Sequence, residues 1–179
     1  MADGKIRIIG MGPGSEGAIP PAAMEEASSC DIIFIRTLQH PGAGRFTSLG
    51  RMWESFDGLY ESSASFEEAY DRMAEEVVGA AAKGKRVAFV VPGSPAAGES
   101  AVRMVIGRAK ELGIEVKAVQ GASFVDACAV AAGNDILLDG LAVIGAFRLD
   151  EQWPASDKGK RLPFPVPLLI GEVYDRMMA

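Results

Sequence analysis

Cysteine and histidine are scarce in this 179-residue chain, with two of the first and one of the second. Cys30 and Cys128 each sit among apolar or small residues without metal-ligand spacing, so both read as buried packing thiols, not as a disulfide or a metal set. That usage fits a reducing cytoplasm. No apolar run is long enough to span a bilayer, and the N-terminus carries Asp3 without an apolar leader, so a soluble cytoplasmic protein with no membrane partner is expected. Positive charge is in deficit as well. Eighteen basic residues against 24 acidic ones give a formal charge of -6, which disfavours nucleic acid and anionic membranes as partners. The run Lys158-Gly159-Lys160-Arg161 reads as a solvated loop. What the chain does have is apolar content, 49% of its residues, enough for a sizeable core.

The organising stretch is Ile6-Arg7-Ile8-Ile9-Gly10-Met11-Gly12-Pro13-Gly14. A β-branched run that feeds into glycines at alternate positions reads as a buried strand ending in a loop whose backbone a ligand can approach. Prolines 20 and 21 then suit the first turn of a helix running to about Ser29. A second apolar strand follows over 31–35 and stops at the polar loop Arg36-Thr37-Leu38-Gln39-His40-Pro41, with a third strand expected over 53–56. Ser65 and Glu68 have capping-box spacing before a long helix whose Phe66, Tyr70, Met73, Val77 and Ala81 share one face. That face is assigned to the core.

Residues 86–91 form the clearest central strand, followed by the second loop, Pro92-Gly93-Ser94-Pro95-Ala96-Ala97-Gly98. A helix carrying Ala101, Val102, Val105, Ala109 and Leu112 leads to a strand over 115–119, the third loop Gln120-Gly121-Ala122-Ser123, and a small-residue helix over 124–132. Strands alternating with helices specify an α/β fold with a parallel, doubly wound sheet over residues 1–134. Beyond Asn134 the texture changes. Strands are expected over 141–147 and 167–173 with a polar connection between them, as an antiparallel start of a second domain over 135–179 that the chain leaves incomplete. Unpaired strand edges in such a unit predict a homodimer.

A parallel sheet gathers the three glycine loops at one edge, where open α/β sheets bind their ligands. Dinucleotide binding is disfavoured, because the spacing is not G-x-G-x-x-G and Pro13 removes an N–H that phosphate cradling would use.

Taken in order, Ile-Ile-Gly-Met-Gly-Pro-Gly-Ser at 8–15, Val-Val-Pro-Gly-Ser-Pro at 90–95 and Val-Gln-Gly-Ala-Ser-Phe at 119–124 resemble the three signatures of the tetrapyrrole (corrin/porphyrin) methylases. More narrowly, Arg36-Thr37 with His40-Pro41, the run 55–61 and the run 167–176 resemble the branch fused to a MazG-type nucleoside triphosphate pyrophosphohydrolase. This resemblance implies a class III methyltransferase-like first domain, a second α/β domain, a homodimer, and S-adenosylmethionine (SAM) as cofactor. Carried over by position, the cofactor residues are Pro13, Pro92, Gly93, Ser94, Ala97, Ser123 and Phe124. Gly12, Gly14, Arg36, Thr37 and His40 are then candidates for binding the methyl acceptor, a tetrapyrrole or other small planar molecule. Ser94 stands where the family commonly has an aspartate, and Gln120 where it has a proline. The alternative implied is a SAM-binding module that regulates or scaffolds a pyrophosphohydrolase. No residue is singled out as the catalytic base, and no metal is expected.

Overall fold

The computed structural model describes residues 4–146, 148–149 and 165–173, and the chain divides into two compact units, 1–123 and 124–179. The boundary expected after Asn134 lies inside the second of these. Strands β1 (Lys5–Gly10), β2 (Ile32–Ile35), β3 (Met52–Ser55), β4 (Arg86–Val91) and β5 (Glu115–Val119) form one sheet in the order β3-β2-β4-β1-β5, and every pairing is parallel. This is the class III methyltransferase-like arrangement. Every residue of β4 after Arg86 is buried, as a central strand covered on both faces requires.

The two-residue period of the strands sorts their side chains onto two faces. Ile6, Ile8, Val87 and Phe89 pack with helices α4 (Phe66–Ala82) and α5 (Ser100–Glu111). Ile9, Ile33, Ile35, Ala88 and Val90 pack on the other side with helices α1 (Pro21–Ser28) and α2 (Ala43–Thr47). Two short helices, α2 and α3 (Asp57–Ser62), were not foreseen from the sequence. Phe56 leaves the end of β3 to stack on Phe34 at 5.1 Å, so the third strand lies one residue earlier than expected.

The Ser65 cap forms as predicted: its Oγ accepts from the Glu68 N–H at 3.1 Å. Glu68 reaches back to the Ala64 N–H at 2.8 Å in place of the cap residue's own. The buried face of α4 is Ala69, Met73, Ala74, Val77, Val78 and Ala81. Phe66 is 67% exposed and belongs to a rim of rings with Tyr60 and Tyr70, which corrects its assignment to the core. Leu112, likewise, is exposed at the C-cap of α5.

The second unit contains helix α6 (Phe124–Ala131) and strands β6 (Ala142–Gly145) and β7 (Leu168–Gly171). These strands pair in parallel, Ala142 opposite Leu168, which overturns the antiparallel expectation. The intervening residues 146–167 exceed the dozen or so that a parallel crossover needs. Cys30 is buried as expected, but Cys128 is exposed, because α6 buries only Ala129 among its residues. Among the described residues no helix is long and apolar enough to cross a membrane, and no group of three or more potential metal ligands occurs.

Candidate functional site

Because β4, β1 and β5 are neighbours, their carboxyl ends deliver the three loops side by side. The loops are joined through backbone. Gly12 N–H donates to the Gly93 carbonyl at 3.0 Å and Gly93 N–H returns a bond to the Gly12 carbonyl at 2.9 Å, an isolated antiparallel bridge beyond the parallel strands. Gly121 closes the cluster from the third side. A Cβ there would lie 2.2 Å from the Gly93 carbonyl oxygen and 2.6 Å from Gly12 N, and one at Gly10 would lie 2.5 Å from that same oxygen. Glycine at 10 and 121 is therefore a packing requirement, since no side chain fits where three backbones meet.

The outer surface of the cluster is different. Gly93 has φ +60° and Gly98 φ +72°, and a Cβ at either, or at Gly14, would meet nothing within 4 Å. These positions are open cradles, while Pro13 is exposed and Pro92 and Ala97 are half-buried beside them. Ser94 is buried, and its hydroxyl is committed: it donates to Gln120 Oε1 at 3.2 Å and accepts from Ala96 N–H at 3.3 Å. It thus ties the second loop to the third. Ser123 ends the first unit, whereas Phe124 opens the second and packs there over Gly171 of β7.

The loop after β2 supplies the polar groups. Gly42 N–H donates to Nδ1 of His40 at 3.1 Å, which leaves Nε2 to carry the proton and donate to the Gly12 carbonyl at 3.0 Å, a tautomer assigned from its bonds. His40 therefore pins the first loop. The Thr37 hydroxyl donates to Asp57 Oδ1 at 2.6 Å, and Asp57 Oδ2 accepts from Leu38 N–H at 2.8 Å and Ser55 Oγ at 2.5 Å. Burial pushes the Asp57 carboxyl up, but the bonds from Ser55, Thr37 and Leu38 outweigh it and hold the group below the usual aspartate range.

Arg36 follows directly on β2, with its N–H bonded to the Val90 carbonyl at 2.9 Å. Its guanidinium lies 3.5 Å from Glu99 Oε2 in an ion pair whose side chains are 20% and 4% exposed. Neither Arg36 Nε nor Glu99 Oε2 makes a hydrogen bond. Burial pushes the Glu99 carboxyl up from an ordinary 4.5 to about 7, with Arg36 only partly opposing it. Tyr60, nearby on α3, is pushed up to about 12, chiefly by burial, with Arg36 pulling it down and Glu99 adding to the rise.

The family model of the tetrapyrrole (corrin/porphyrin) methylases matches residues 5–161. The chain belongs to this family. It is 28% identical over 98% of its length to an uncharacterized protein, YabN, of Bacillus subtilis, and spans 34% of that relative. Its fold is similar to a solved uroporphyrin-III-C-methyltransferase of Thermus thermophilus (TM-score 0.65, 18% identity, 94% of this chain and 68% of that one). It is also similar to a structure described as a diphthine synthase of Entamoeba histolytica (TM-score 0.56, 24% identity, 79% of this chain and 50% of that one).

For this tetrapyrrole methylase family member, the structure brings Gly12, Pro13, Gly14, Pro92, Gly93, Ser94, Ala97 and Ser123 onto one sheet edge, with Arg36, Thr37 and His40 in the loop that follows the neighbouring strand β2. Thr37 and His40 spend their polar atoms inside the protein. Glu99, Asp57, Tyr60 and Gln120 were missed as site residues. Asp57 and Tyr60 lie in a run already singled out, 55–61, while nothing local marks Glu99, whose importance comes from burial beside Arg36.

Two outcomes are expected. Gly121→Ala should destabilise the fold by roughly 2–3 kcal/mol through overpacking, while Gly14→Ala should change it by less than about 1 kcal/mol, as read from urea midpoints. The second concerns pH. A folded-state pKa raised above the unfolded value means that the native protein binds the extra proton, so Glu99's contribution is full below about 4.5 and is lost as pH rises through about 7. Wild-type stability should therefore fall by roughly 2–3 kcal/mol relative to Glu99→Gln between pH 5 and pH 8. Equal slopes in both proteins would contradict the assignment.

Proposed function

We propose that the three-loop edge binds S-adenosylmethionine and that the protein is a methyltransferase acting on a small planar acceptor, a tetrapyrrole or a molecule like one. The observation that supports this best is the pairing of a sealed backbone junction with open glycine surface at 14, 93 and 98. A nucleoside with a sulfonium side chain fits that combination, because a flat ligand can lie against backbone where no side chain projects. The residues also suit a cation: the Arg36 guanidinium, in the loop after β2, is offset by the buried Glu99.

Pro13, Pro92, Gly93, Ser94, Ala97 and Ser123 would hold the cofactor. When bound, SAM supplies a methyl carbon made electrophilic by a positive sulfur. The chain's own part is to orient the acceptor and keep water out, since in-line transfer depends on position. Arg36 would meet the acceptor and Gly14 would border both ligands, whereas Gly12, buried with its N–H and carbonyl both bonded, belongs to the floor beneath them. Thr37 acts through Asp57 and His40 through the Gly12 carbonyl, so these two shape the site by positioning it.

A second reading, a SAM-binding module that regulates a MazG-type pyrophosphohydrolase, is favoured by Ser94. It stands in place of a carboxylate, and its hydroxyl is spent on Gln120. Both readings share the binding step, together with a homodimeric, cytoplasmic protein.

Calorimetry with S-adenosylhomocysteine tests that step. Saturable binding is expected, weakened roughly tenfold or more, about 1.4 kcal/mol, by Gly93→Val, which fills the open side. Gly14→Val, at a position without left-handed backbone, should weaken binding similarly and separates occlusion from strain. No binding by the wild type, or equal affinity in all three proteins, would overturn the proposal.

A further inference from the structure

Arg36 is less fully bonded than Arg7, Arg72 and Arg108. Arg7, at a similar 16% side-chain exposure, spends Nε on Glu26 at 3.1 Å and Nη1 on Glu115 at 2.9 Å. Arg108 donates to the Asp71 carbonyl at 2.9 Å, and Arg72 to the hydroxyls of Ser62 and Ser63. Arg36 instead has one carboxylate at 3.5 Å, with its Nε and that carboxylate's Oε2 both unbonded. A guanidinium offers five donors in a fork that matches a carboxylate, and this one stands at the ligand edge of the sheet with Nε unbonded and Nη1 3.5 Å from Glu99 Oε2.

We propose that Arg36 and Glu99 form a carboxylate-binding site in which a ligand's carboxylate takes Arg36 while Glu99 takes up one proton from water. The inference rests on the reading of Arg36 as an acceptor-binding residue, and it names the acceptor's class as a carboxylate-bearing molecule. Its basis is charge in a dry place. One guanidinium cannot neutralise two carboxylates side by side, so a second one arrives at low cost only if the first is protonated. A singly charged group closes the balance, whereas a doubly charged phosphate would leave an excess negative charge beside Glu99. No covalent bond between heavy atoms changes; the ion pair opens, and Glu99 becomes a neutral acid.

The neighbours leave Glu99 as the group that responds. Asp57 on α3 is held ionised by its hydrogen bonds, and Tyr60 on α3, with Tyr70 beside it on α4, is neutral well above physiological pH. On α5, Arg103 lies one turn beyond Glu99 and is exposed. His40, on the loop that follows Arg36, has both ring nitrogens bonded, and a Glu99 variant leaves them untouched. The rise of the Glu99 carboxyl to about 7 agrees with a proton that is nearly balanced before any ligand arrives.

Sodium benzoate serves as the probe and benzamide as its uncharged control, with the Arg36 Nε–H signal followed by NMR. Saturable benzoate binding is expected, near constant in affinity between about pH 5 and pH 6, where benzoate is still the anion, and weakening roughly tenfold per pH unit above about pH 7. Glu99→Gln should bind benzoate with no such pH dependence, and Arg36→Gln should not bind it. Calorimetry on the wild type in buffers of different ionisation enthalpy should show uptake of about one proton near pH 8, and needs no variant to fold. Absence of binding, equal binding of benzamide, a pH-independent wild type, or unchanged pH dependence in Glu99→Gln would each overturn the proposal. S-adenosylhomocysteine titrated into the same sample keeps the two readings apart: benzoate failing while it binds overturns this site alone, and the reverse overturns the cofactor reading alone.

Discussion

The contact on which the first unit depends is the meeting of three backbones at Gly12, Gly93 and Gly121. A parallel sheet aligns its carboxyl ends but does not bond the loops that leave them, so each loop would otherwise be free to find its own course. Here the Gly12–Gly93 bridge extends the pairing of β1 and β4 past the strands, and the absence of a Cβ at 10 and 121 lets the third loop close against it. His40 adds a side-chain tie from the fourth neighbouring loop to the same Gly12 carbonyl. The result is a rigid floor made almost wholly of main chain, beside which Gly14, Gly93 and Gly98 leave room.

Electrostatics around that floor follow a second constraint. Charged groups at this edge are few and partly buried, so each is defined by its partner. Asp57 is stabilised as an anion by three donors, whereas Glu99 faces one guanidinium at 3.5 Å and no hydrogen bond at Oε2. Two carboxylates in one neighbourhood are thus driven in opposite directions, one kept ionised and one poised near neutrality. Such a division of roles gives a polar edge one fixed charge and one adjustable charge.

Much of this was legible in the order of residues. The apolar runs at 6–9, 32–35 and 86–91, each followed by glycine, proline or polar residues, point to parallel strands and to where their loops collect. Glycine spacing marked the loops, but the reason for each glycine was not visible, because Gly121 meets Gly93 only once the sheet order is known. Phe66 was misplaced because helical spacing does not say which side of a wide apolar stripe faces inward, and Tyr60 and Tyr70 draw it to the rim. The parallel pairing of β6 and β7 escaped because strand direction depends on the path between strands, not on the strands themselves. Glu99 escaped because a lone glutamate before a helix carries no local sign that it is buried.

The central claim, that the glycine junction is the floor of a cofactor site, is tested most directly by mapping backbone amide shifts while S-adenosylhomocysteine is titrated into the protein. The account predicts that the largest shifts fall on Gly12, Gly14, Gly93, Ala97 and Ser123, with the outer face of α4 unmoved. Saturable shifts confined to residues away from the three loops, or none at any concentration, would contradict it.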